Sequence, residues 1–146
     1  MYEHTIRQSI QIVAQIEEVF TFLVDPNKIS LIMPGLIENC NIPSTPLQAG
    51  SYFDYTFKMY NTVLKGKWNV VALEFPTHYE SVTDGDEQSR WIYNLSMESG
   101  STIVDMVLEY KIPAAITAQV DPDIIKHINL GYVKLFLGNL KDSVEK

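Results

Sequence analysis

From Leu36 to Ile112 the chain reads as one strand after another, and this run constrains the fold more than any other feature. The segments are Leu36 to Ile42, Tyr52 to Tyr60, Val63 to Phe75, Tyr79 to Thr83, Arg90 to Glu98 and Thr102 to Ile112. Apolar and polar residues alternate along them, the period of a sheet with one face buried. Pro43, Pro46 and Gly50, then Asn61, Pro76, Asp84-Gly85 and Ser99-Gly100 fall between the segments, where meander turns are expected. Strands joined by such short connections pair antiparallel, in hairpin order.

The flanks follow other periods. Thr5 to Val13 alternates, with Ile6, Ile10 and Ile12 on one face, and reads as a first strand. Ile16, Val19, Phe20 and Leu23 then recur at helical spacing, with Glu17 and Glu18 near the positive N-terminal end. Asp25-Pro26 supplies a cap and a first-turn proline for a second brief helix, Asn27 to Met33, which Pro34-Gly35 stops. Asp121-Pro122 opens a long closing helix in which Leu130, Val133, Leu137, Leu140 and Val144 repeat every three or four residues. No repeat, linker or low-complexity stretch divides the chain, so one domain spanning 1–146 is expected.

Charge and cysteine usage narrow the function classes. Eleven Lys and Arg against eighteen Asp and Glu leave a net charge of -7, a field that repels phosphate backbones and disfavours nucleic acid as a partner. The single Cys40 forms no internal disulfide, which fits a cytoplasmic setting. No apolar run approaches the roughly 18 residues of a membrane span, and MYEHTIRQ lacks a signal-peptide pattern. His4, His78 and His127 lack the spacing of a metal motif, and Asp84-Gly85-Asp86-Glu87 lacks that of a calcium loop. No metal or other cofactor is therefore expected, and the acidic run reads as a solvated hairpin turn.

The order strand, two short helices, six-strand meander, long helix, with the opening IQIVAQIEEVFTFLVDP, the strand GKWNVVALEFP and the closing LGNLKDSVEK, resembles the polyketide cyclase/dehydrase-like lipid-transfer (START-like, SRPBCC) superfamily. The resemblance covers nearly the whole chain and contains no catalytic signature. It implies an α+β helix-grip fold: a curved antiparallel seven-stranded sheet around the C-terminal helix, with two short helices after the first strand and a cavity between helix and sheet. The family ranges from ligand carriers to cyclases, and a fold does not choose between them.

On that arrangement the large apolar strand face lines the cavity. Alternation assigns to it Phe53, Tyr55, Phe57 and Met59, then Trp91, Tyr93, Leu95 and Met97, and then Val104, Met106, Leu108 and Tyr110. Trp68 and Val70 join them if no bulge at Gly66 shifts the register. The closing helix adds a second stripe, Ile125, Ile128, Tyr132, Leu135 and Phe136, and close packing is the expected reason for Gly131 and Gly138. The candidate ligand-binding residues are Tyr55, Phe57, Trp68, Trp91, Tyr93, Met106, Ile128, Tyr132 and Phe136. Phenols and indoles among apolar walls suit a small-molecule site, although plain core packing outweighs ligand contact for any single one.

By the same alternation the inward positions hold neither His nor carboxylate, and Arg90 and Asn94 face out. Lys58, Lys65 and Lys67 form the one basic cluster, read as a solubilising edge. The leading expectation is binding or transport of a hydrophobic small molecule such as a lipid, isoprenoid or polyketide-like compound, with no catalytic residue assigned. Its rivals are a cyclase/dehydratase-type enzyme, weakened by the missing inward base, and an interaction module using Ile92, Ile103 and Val107 on the outer sheet face. The expected partner is the small molecule, and a homodimer is compatible with this reading.

Overall fold

The computed structural model describes residues 2–44 and 46–145. Strand β1 (His4–Ile12) leads into helices α1 (Ile16–Leu23) and α2 (Pro26–Ile32). Six strands follow: β2 (Leu36–Cys40), β3 (Tyr52–Met59), β4 (Thr62–Glu74), β5 (His78–Thr83), β6 (Gln88–Glu98) and β7 (Ser101–Lys111). A single helical turn, α3 (Ala114–Thr117), precedes the long α4 (Pro122–Val144). The turn α3 is an addition to the elements expected from sequence.

Local chemistry sets the helix starts. The Asp25 carboxylate accepts from the Asn27 N–H at 2.9 Å and Asp121 from the Asp123 N–H at 2.8 Å, each ahead of a proline whose missing donor costs nothing in the first turn. The sheet order is β1-β7-β6-β5-β4-β3-β2, with every pair antiparallel. Beyond the meander, β1 pairs with β7 from His4↔Tyr110 to Ile12↔Thr102, bringing the two ends of the strand run together. The β3–β4 turn, Tyr60-Asn61, and the β6–β7 turn, Ser99-Gly100, have positive φ at both central residues, as a two-residue hairpin connection requires.

The β3–β4 register runs unbroken through Tyr55↔Gly66, so Trp68 and Val70 do face inward. The bulge of β4 lies instead between Val70 and Ala72, in its pairing with β5. Trp68 sits amid the inner aromatics, its ring 5.2 Å from that of Trp91 and 5.9 Å from those of Phe53 and Phe57. Helix α4 lays Ile125, Val133, Phe136, Leu137, Leu140 and Val144 on this face, and Phe136 meets Tyr93 edge-on at 6.5 Å. Its last turn is tied to β1: the Val13 N–H donates to Glu145 at 2.8 Å and Lys141 Nζ to the Gln11 carbonyl at 3.0 Å.

Several expectations are corrected. Met97 and Leu135 are exposed rather than inward. A Cβ on Gly131 or Gly138 would meet nothing within 4 Å, so close packing does not explain either glycine.

The glycine that packing does require is Gly66. A Cβ there would lie 1.9 Å from the Asp84 carbonyl oxygen and 2.6 Å from Tyr55 Oη. At this point the Asp84–Glu87 loop crosses over β4, with Asp84 N–H donating to the Lys67 carbonyl at 3.0 Å and Asp86 N–H to that of Lys65 at 2.9 Å. Tyr55 Oη fastens the loop from inside by donating to the Asp84 carbonyl at 2.7 Å. Gly66→Ala forces loop and strand apart and should destabilise the protein by roughly 1–3 kcal/mol, the usual cost of overpacking. A thermal melt of the variant matching the parent would contradict this placement of the loop.

Candidate functional site

A cavity of about 80 Å³ lies between α4 and the sheet. Helix α4 lines it with Ile125, Asn129, Tyr132, Val133 and Phe136. The sheet contributes Phe57 and Leu64 on one side and Trp91, Met106, Leu108 and Tyr110 on the other. Met33, Pro34 and Met59 close one flank, and the segment Ile112 to Ile116 closes another. Tyr132, 37% exposed, and Lys111 are the exposed members of the wall and mark where it reaches solvent.

Of the residues singled out from sequence, Phe57, Trp91, Met106, Tyr132 and Phe136 come together around this cavity. Trp68 and Tyr93 border a separate pocket of about 20 Å³ near α1 and α2. Both are buried, with Trp68 Nε1 donating to Ser81 Oγ at 2.7 Å and Tyr93 stacked on Tyr79 at 5.9 Å. Tyr55 belongs to neither wall, because its hydroxyl holds the Asp84–Glu87 loop. Ile128 also lies outside both walls; Ile125, one turn earlier, faces in, because the sheet meets α4 along the line 125, 129, 133, 136.

Sequence alternation missed the polar groups of the wall. Tyr60 Oη and Asn129 Oδ1 are buried and make no hydrogen bond within the protein. Tyr60 holds φ at 52°, a left-handed conformation that costs a bulky residue roughly 1–3 kcal/mol. The turn thereby aims a phenol at the cavity instead of presenting a small turn residue to solvent. Burial pushes the Tyr60 and Tyr110 hydroxyls to higher pKa; for Tyr60 the neighbouring Tyr132 and Tyr110 add to this, and for Tyr110 Asn129 opposes it.

Glu87 is the larger correction. The Asp84–Glu87 run is a solvated turn only as far as Asp86, since the loop folds against Tyr55 and Gly66 and places the Glu87 side chain in the cavity wall. Thr83 Oγ1 donates to its carboxylate at 2.6 Å, Ser89 Oγ lies 2.6 Å from Thr83 Oγ1, and Trp91 Nε1 donates to Ser89 Oγ at 2.7 Å. Desolvation raises the Glu87 pKa, with the Thr83 and Ser89 hydrogen bonds opposing it. An inward carboxyl is therefore present where none was expected. Its signal was parity: 87, 89, 91 and 93 share one strand face.

The outer face offers less. Ile92 opposes Val107 across the β6–β7 pair, both half-buried, and Arg90 beside them bridges Glu80 at 2.7 Å and Glu109 at 3.5 Å. Lys58, Lys65 and Lys67 are exposed and lie off the cavity wall, with Lys67 paired to Asp54 at 3.2 Å.

No family model matches the sequence. No curated protein matches it either. Solved structures do match the fold. A protein of Thermus thermophilus superposes with a TM-score of 0.80 at 13% identity, covering 97% of both chains. A protein of Mycobacterium smegmatis described as a START superfamily protein gives 0.77 at 10%, again over 97% of each chain. A major latex-like protein of Panax ginseng gives 0.69 at 12% over 97% of each. The chain thus has the START-like helix-grip fold. Among the described residues no helix is long and apolar enough to cross a membrane.

Two outcomes follow from the polar wall. Folding raises the Glu87 pKa, so the native state holds more protons than the unfolded chain between the unfolded and folded pKa values. Stability contributed by this residue therefore falls as pH rises through that window. Glu87→Gln cannot ionise, so its melting temperature should gain on the parent with rising pH, a trend that melts at a series of pH values will read. Tyr60→Phe removes a buried hydroxyl without a partner and should stabilise the ligand-free protein by about 1 kcal/mol, measured by denaturant unfolding.

Proposed function

We propose that this protein binds a hydrophobic small molecule in the cavity between α4 and the sheet, as a carrier or sequestering protein. The carrying observation is the wall itself, largely aliphatic and aromatic, with a few polar groups pointed inward, the usual composition of a small-molecule site. At about 80 Å³ the cavity is smaller than the roughly 300 Å³ at which drug-sized ligands begin. Met33, Met59 and Met106 line it, and unbranched thioether side chains repack at low cost. A single-ring or short-chain compound needs the least rearrangement.

Glu87 favours a second reading. A cyclase/dehydratase-type enzyme needs an inward acid or base, and a carboxyl whose pKa desolvation raises is a suitable one. Binding stays ahead because no second titratable group within hydrogen-bonding distance of the Glu87 carboxyl is found among the described residues to exchange a proton with it.

Native mass spectrometry of gently purified protein should show a co-purifying apolar compound. Independently, α-methylstyrene should bind the purified protein, and Val133→Phe, which fills the cavity from α4, should weaken that binding at least tenfold while leaving the circular dichroism spectrum unchanged. Equal binding by parent and variant would place the ligand elsewhere. Conversion of the co-purified compound by the parent, lost in Glu87→Gln with binding retained, would decide for the enzyme.

A further inference from the structure

We propose that Glu87 is the polar anchor of the cavity, its carboxyl donating a hydrogen bond to an acceptor oxygen, of the carbonyl class, on the bound molecule. This rests on the cavity being a ligand site, as proposed above, and names the chemistry of its occupant.

The geometry assigns the hydrogen-bonding roles. Thr83 Oγ1 donates to Oε2 of Glu87, so in the protonated carboxyl the acidic proton belongs on Oε1, the oxygen this proposal turns to the cavity. Ser89 Oγ is engaged by the Trp91 indole, Thr83 and the Glu87 carboxyl itself, so it is not offered to the ligand. Trp91 has spent its only donor on Ser89, so its ring offers the occupant an apolar face. A carbonyl compound therefore finds one donor here, framed by aromatic and aliphatic surface. An anionic Glu87 would instead turn a second acceptor toward the carbonyl and repel it.

Protonation of Glu87 then governs affinity. Its titratable neighbours are Tyr2 ahead of β1, Tyr55 of β3, Tyr60 of the β3–β4 turn on the same cavity wall, Asp84 and Asp86 of its own loop, and Tyr110 and Lys111 of β7, the strand paired beside β6. From α4 the wall receives Tyr132 and the uncharged Asn129. Asp84 and Asp86 are exposed and engaged with β4 backbone N–H groups, at 3.2 Å to Lys67 and 2.9 Å to Lys65. Glu87 is left as the carboxyl on the cavity wall, and its desolvation extends the neutral form above the usual carboxylate range.

The test compares acetophenone with α-methylstyrene, which has the same shape but a methylene in place of the carbonyl oxygen. Affinities are read by calorimetry and by the two tryptophan indole N–H resonances. The ratio of acetophenone to α-methylstyrene affinity should fall roughly two- to tenfold in Glu87→Leu, the value of one hydrogen bond, and be kept in Glu87→Gln, whose amide also donates. In the parent the ratio should fall as pH rises through the Glu87 titration, and in Glu87→Gln it should stay level. The parent's pH profile and the Gln variant decide the matter even if the Leu variant does not fold. Binding of α-methylstyrene with a ratio indifferent to pH and to both substitutions overturns the anchor and leaves the binding function standing. Failure of both compounds to bind overturns the two together.

Discussion

The hydroxyl of Tyr55 holds the interior of this protein in its present form. It donates to the Asp84 carbonyl at 2.7 Å and accepts from the Glu87 N–H at 3.2 Å, so one buried phenol satisfies backbone on both sides of a turn. The turn can lie this close only because β4 has no side chain at Gly66. The same contacts carry Glu87 off the surface and onto the cavity wall. Burial and the nearby Glu87, Asp86 and Asp84 charges push the Tyr55 pKa up, which keeps the phenol neutral and able to donate. Loss of this hydroxyl would remove the loop's inner tie and leave its bonds to the Lys65 and Lys67 backbone.

Much of the architecture was legible because sheet and helix periods leave marks in sequence that packing then obeys. The inward parity of β3, β6 and β7 follows from alternation once one face is buried, and Asp25-Pro26 and Asp121-Pro122 start α2 and α4 by capping chemistry that involves neighbouring residues alone. The β1–β7 pairing joins residues about a hundred positions apart, and no local pattern encodes it. The family resemblance implied a seven-stranded sheet, and which strand β1 joins is seen only in the structure.

The site was less legible, for a reason particular residues show. Asp84-Gly85-Asp86-Glu87 has the composition of a solvated turn, and for Asp84 and Asp86 that reading holds, since both are exposed. Glu87 follows a different constraint, the parity it shares with Ser89 and Trp91, and composition hid it. Tyr60 was hidden in a similar way: a two-residue hairpin turn favours Asn or Gly at that position, so its phenol is explained by the cavity it faces and not by the turn. Ile128 misled because a helix stripe gives a face to within one turn, while the line of contact depends on how α4 crosses the sheet.

These polar groups also explain why the cavity persists. A wholly apolar gap of this size could close by repacking methionines around it, gaining the contacts that a void forfeits. Closing it here would press Met59 and Met106 against the Tyr60 hydroxyl, the Asn129 amide and the Glu87 carboxyl, none of which finds an apolar side chain a useful partner. The protein accepts a strained turn at Tyr60 and a desolvated acid at Glu87, both costs to folding. A ligand with polar atoms at both positions would offset the two at once. On the proposed function, stability and recognition are coupled through the same side chains: the groups that weaken the ligand-free core are those that would orient what enters it.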